Sequence, residues 1–95
     1  MVIRADILNS LSEIHAELTA MGVKDLWLFG SAARGELAND ADFLVDFQST
    51  PTLVGFMNLK FLLEDKLQVP VDLQTRNSCP ERFMRHIQPD LLHVA

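Results

Sequence analysis

The 95-residue chain predicts a mixed α+β fold, a small mixed β-sheet flanked by helices in the order α-β-α-β-α-β-α. Three observations predict it. Ile7, Leu11, Ile14, Leu18 and Met21 recur at helical spacing near the start. Two apolar runs of strand length follow, Val23–Phe29 and Asp40–Phe47. A second helical pattern up to Leu67 then leads into a third short apolar run, Val69–Gln74.

Taken in order, the first helix spans Ile3–Met21, and Gly22 is placed to end it in a left-handed cap. His15 lies within it with no second ligand in reach, which reads as a surface histidine. The run Val23–Phe29 is apolar almost throughout after Lys24 and Asp25, as in a strand covered on both faces. Gly30 allows a sharp turn, and Ser31 can cap a helical turn over Ala32–Gly35 whose free N–H groups suit an anion such as a phosphate. An ordinary strand-turn-helix joint with a serine cap fits the same residues. Thr52 can cap the helix that runs to Leu67, with Leu53, Phe56, Met57, Lys60, Leu63 and Leu67 on one stripe. Val54, Leu59, Phe61 and Leu62 fall off that stripe, so the apolar face is wide enough to cover more sheet or to meet a partner. Pro70 places the start of the third strand at an edge or at the entry to the sheet. Pro80 opens a last helix, Glu81–Ile87, which Pro89 breaks.

Bulk properties bound the function. One domain over residues 1–95 is expected, since the chain holds no linker, repeat or low-complexity segment. With 48% hydrophobic and 22% charged residues it is globular in composition. No apolar run approaches the roughly 20 residues of a membrane span, and the start lacks the order of a signal peptide, so a cytoplasmic location is expected. The single cysteine, Cys79, excludes an internal disulfide and a cysteine-rich zinc site. A formal net charge of −5 argues against a broad nucleic-acid surface.

The chemistry concentrates in carboxylates. Residues i and i+2 of a strand share a face, so Asp40 and Asp42 can stand side by side about 6–7 Å apart along the chain. At an effective dielectric near 20, two such charges roughly 5 Å apart repel by about 3 kcal/mol. A divalent cation is the direct reason to keep them together. Asp72 points away from Val71 and Leu73 and can supply a third carboxylate from a neighbouring strand. An all-oxygen set reads as Mg²⁺ by ligand hardness, and Mn²⁺ fits the same ligands.

Gly30-Ser31, Arg34-Gly35, Asp40-Ala41-Asp42-Phe43-Leu44-Val45-Asp46-Phe47 and Val71-Asp72-Leu73, in that order, resemble the minimal nucleotidyltransferases, small relatives of the polymerase-beta palm. The resemblance implies that fold over nearly the whole chain. It implies that Gly30 and Ser31, with Arg34 nearby, hold the phosphates of ATP. It implies that Asp40, Asp42 and Asp72 hold two Mg²⁺ ions and are catalytic, with Asp72 orienting or deprotonating the attacking hydroxyl. It further implies an antitoxin that transfers AMP to a tyrosine of a helical HEPN-type toxin. One departure stands out: only Ala32–Asn39 separate Ser31 from Asp40, a shorter loop than the family's. An alternative therefore stays open, a catalytically degenerate antitoxin that neutralises its partner by contact. The apolar surplus on the Thr52–Leu67 helix predicts association with that partner or as a homodimer.

Overall fold

A computed structural model describes all residues, 1–95. Its elements are α1 (Arg4–Glu13), α2 (His15–Ala20), β1 (Val23–Phe29), β2 (Ala41–Phe47), α3 (Leu53–Leu67), β3 (Val71–Thr75), α4 (Glu81–Ile87) and β4 (Leu92–His93), with 3-10 turns at Arg76–Ser78 and Gln88–Asp90. The sheet order is β3-β2-β1-β4.

The single helix expected over Ile3–Met21 is two. At Ile14 the backbone leaves helical geometry (φ −110°, ψ 16°), and its N–H closes a tighter bond to the Leu11 carbonyl at 3.2 Å. Just before the break, the Ser12 hydroxyl donates to the Asn9 carbonyl at 3.1 Å, a back-bond that bends helices. The step keeps Ile7, Leu11, Ile14 and Leu18 all buried, whereas Met21 is left exposed. Gly22 turns the chain with φ +83°, as its position suggests.

Between β1 and β2 the second α of the expected order is one turn only. Arg34 N–H donates to the Gly30 carbonyl at 3.2 Å and Gly35 N–H to Ala32 at 3.1 Å. So short a connection cannot return the chain in parallel, and β1 and β2 pair antiparallel, Phe29 opposite Asp42 and Leu28 opposite Phe43. The longer crossover through α3 permits the parallel pairing of β2 with β3, in which Asp42 faces Asp72 and Phe43 faces Leu73. Thr52 caps α3 by accepting from Gly55 N–H at 3.0 Å.

The sheet is covered on both faces. Leu26, Leu28, Phe43, Val45 and Leu73 pack with Ile7, Leu11 and Leu18 of the first two helices and with Leu59, Leu63 and Leu67 of α3. The other face holds Phe29 and Leu44 against Ile87 of α4, with Trp27, Phe83 and Met84 at its margin. On α3 the inner stripe is centred on Leu59, Leu63 and Leu67 rather than on the expected line through Leu53. Leu53, Val54 and Phe61 are instead exposed at 77%, 68% and 55%. β4 was not expected from the sequence. It pairs with Trp27 and Leu28 and completes the sheet edge. No helix is long and apolar enough to cross a membrane.

Candidate active site

Two strands and one turn build the site. Asp42 is the second residue of β2 and Asp72 the second of β3, and their Cα atoms are register partners across the parallel ladder. Neighbouring strands lie about 4.8 Å apart, and both side chains leave the sheet on the same side. Ala41 N–H bonds to the Pro70 carbonyl at 3.0 Å and extends the pairing up to the site. Glu64 of α3 accepts from Val71 N–H at 3.0 Å, which fixes the start of β3 next to Asp72. Asp40 sits in the bend just before β2, one residue outside the strand in which it was expected. It is exposed, as is Asp72, while Asp42 is half-buried.

The burial of Asp42 pushes its carboxyl above the ordinary value of 3.8, and the charges of Asp40 and Asp72 push it further. None of the three carboxylates accepts a hydrogen bond or ion pair from the protein. The trio is thus an unneutralised set of hard oxygen donors, the chemistry that fits a hard divalent cation. No three carboxylate, imidazole or thiol groups close into a cage for an ion. That openness agrees with Mg²⁺, which uses one or two carboxylates plus substrate phosphates and keeps several waters.

The turn lies beside Asp42. A Cβ added at Gly30 would come within 2.5 Å of Asp42 Oδ2, and Gly30 has φ +79°. Glycine is required here twice over, for the left-handed backbone and for the room the carboxylate occupies. The N–H groups of Ser31, Ala32 and Ala33 donate to no protein acceptor, and the Ser31 hydroxyl is likewise unengaged, so it does not cap the turn. Consecutive free amides of this kind form a concavity for an anion. A phosphate-binding turn and a cation-binding acidic strand end therefore stand side by side.

Arg34 stands on this turn. Its guanidinium pairs with Glu36 at 2.8 Å and Asp90 at 2.9 Å, which raises its already high pKa through those two bonds. It clasps the turn to the segment after α4. Asp90 is distant in sequence, and no local signal pointed to it. Glu64 was likewise missed, because its partner is a backbone amide seven residues on. The hollows of the surface lie apart from the carboxylates. One of about 350 Å³ opens at the far end of β2, between Gln48–Pro51 and Thr75. The other, about 520 Å³, lies along α4.

The sequence pattern described as "Polymerase beta, Nucleotidyltransferase" matches residues 9–91. Protein adenylyltransferase MntA of Thermococcus cleftensis is 34% identical over 95 aligned residues, covering 90% of this chain and 96% of that protein. A solved structure named as a minimal nucleotidyltransferase superposes with a TM-score of 0.82 at 26% identity, covering 96% of this chain and 95% of the other. A chain of the complex between tri-AMPylated Shewanella oneidensis HEPN toxin and MNT antitoxin shares the fold, with a TM-score of 0.70 at 19% identity over 94% of this chain and 71% of that one.

Proposed function

Because this chain belongs to the polymerase beta nucleotidyltransferase family, we propose that it transfers AMP from ATP to a protein hydroxyl, a tyrosine of a helical HEPN-type toxin, and so acts as an antitoxin in the cytoplasm. One observation carries the reading. Asp42 faces Asp72 in register, next to a turn whose consecutive amides and serine hydroxyl are all unengaged. Cation-binding and phosphate-binding groups meet there with nothing else to bind.

The chain's residues divide the work. The amides of Ser31, Ala32 and Ala33 and the Ser31 hydroxyl receive the terminal phosphates. Asp40, Asp42 and Asp72 are the residues that would hold Mg²⁺, which when bound neutralises charge on the phosphates and the attacking oxygen. Asp72, the more exposed member of the facing pair, orients the acceptor hydroxyl and takes its proton. The acceptor oxygen forms a bond to the α-phosphorus as the bond to pyrophosphate breaks. Positioning and charge stabilisation supply the catalysis, as in other phosphoryl-type transfers. The relatives' names support this reading: one is a protein adenylyltransferase, another an antitoxin bound to an AMPylated toxin.

A second reading has its own observation. Leu53, Val54 and Phe61 form an exposed apolar strip on α3, which suits neutralisation by contact alone. Co-expression with the helical partner separates the two. Asp42→Asn should still bind the partner but leave it unmodified by mass and toxic. Full neutralisation by the variant, with no AMP on the partner, would refute the transfer.

A further inference from the structure

The face on which Asp42 stands is also the face that α4 covers. Phe29 is the register partner of Asp42 across β1 and β2, and directly opposed residues of an antiparallel pair share a side. Leu44, two residues beyond Asp42, shares it too and packs with Ile87 of α4. Phe83 of α4 meets Phe29 edge to face, with ring centroids 5.9 Å apart. Phe83 also lines a hollow of about 520 Å³ with Pro80, Arg82 and His86. The hollow and the acidic site are thus joined through one pair of rings. Phe29 is the link between them, its backbone opposite Asp42 and its ring against Phe83.

The lining is specific in character. It holds an aromatic ring, a guanidinium and an imidazole, all groups that lie flat against a planar π-system. Arg82 and His86 make no ion pair or hydrogen bond, while neighbouring Arg85 is engaged with Glu81 at 3.7 Å. In a chain of net charge −5, two unengaged cationic or ionisable planes lie here beside a half-buried phenyl ring.

Resting on the nucleotidyltransferase reading above, we infer that the Pro80–Arg82–Phe83–His86 hollow receives the purine base of the donor nucleotide, stacked on Phe83 and flanked by Arg82 and His86, while the phosphates lie at the Gly30–Ala33 turn. The base then extends from the acidic site along α4. The acceptor is left the open side of the carboxylates, at the exposed edge strand that carries Asp72.

Calorimetric titration with Mg²⁺-ATP and with Mg²⁺-tripolyphosphate tests this, on the wild type, Phe83→Leu and the double variant Arg82→Ala/His86→Ala. Phe83→Leu keeps an apolar contact to Phe29, and the double variant changes only exposed side chains, so one reports even if the other unfolds. Each variant should bind ATP roughly tenfold more weakly, in the range of a lost base–aromatic stack, and should bind tripolyphosphate as the wild type does. Unchanged ATP affinity in the double variant, or equal loss for both ligands, overturns the assignment and leaves the nucleotidyltransferase reading intact. Retained ATP affinity with lost AMP transfer would instead give the hollow to the acceptor and also overturn it. A wild type that binds neither ligand would sink the nucleotidyltransferase reading and this assignment together.

Discussion

Replacing Asp42 by Asn should stabilise the protein when no divalent cation is present. Asp42 is half-buried, accepts no hydrogen bond, and has two carboxylate neighbours. At roughly 5 Å a like-charge pair costs about 3 kcal/mol at an effective dielectric of 20, but only about 0.8 kcal/mol in water. Asp40 and Asp72 are exposed, so the solvated end of that range applies to both. Two neighbours then give about 1–2 kcal/mol. For a domain of this size each kcal/mol moves Tm by about 5 °C, so Asp42→Asn should melt about 5–10 °C higher in chelator at low salt. The pH dependence carries a definite sign. Folding raises the Asp42 pKa above its ordinary 3.8, so the folded chain holds that proton more firmly than the unfolded one. The destabilisation is absent below the ordinary value and grows as pH rises through the raised one. The variant's advantage should therefore open with rising pH and shrink in high salt, where exposed charges are screened. Addition of Mg²⁺-ATP should raise the wild type past the variant. Scanning calorimetry across pH, with chelator and with Mg²⁺-ATP, reads all of this. A variant that melts below the wild type at neutral pH in chelator would refute the argument that the trio is unneutralised.

Other substitutions test the scaffold around the site. Leu63→Ala removes a fully buried side chain under the sheet and should cost about 2–5 kcal/mol in denaturant unfolding. Thr52→Ala deletes the cap of α3 and should cost about 1 kcal/mol, while Thr52→Ser restores it. Glu64→Ala leaves the Val71 amide without its acceptor and should cost about 1–3 kcal/mol; Glu64→Gln, which can still accept, should recover most of the loss. Arg34→Ala breaks two exposed ion pairs and should leave the denaturant midpoint nearly unchanged, with Mg²⁺-ATP affinity within about twofold of wild type if the clasp is the whole of its role.

Much of this was legible because local chemistry and long-range pairing agreed. β1 begins at Val23 and ends at Phe29 as the apolar run does, since Gly22 and Gly30 both take positive φ at its borders. Thr52 caps α3 as its place before the helical pattern implies. The facing of Asp42 and Asp72 followed from alternation in two strands, once those strands proved to be neighbours. What escaped the sequence depends on distant partners. β4 is two residues long, too short for any periodicity, and exists because β1 offers it an edge. The buried stripe of α3 turns toward Leu59 because the sheet lies there, and an all-round apolar helix does not state which side that is. Arg34 looked free until Asp90 was brought to it by the fold.

The parallel pairing of β2 with β3 has a kinetic consequence. Asp42 and Asp72 come together only after α3 has carried the chain across, so the acidic site is among the non-local contacts that form slowly. β3 is also an edge strand, held in the sheet on one side alone. Its detachment separates the two carboxylates and uncovers Val71 and Leu73, and local openings of this kind are what amide hydrogen exchange records. Protection at Val71–Thr75 should thus report occupancy of the site directly. A ligand that bridges the two strands closes the edge and slows exchange there, while β1, central in the sheet, exchanges at a rate set by global unfolding.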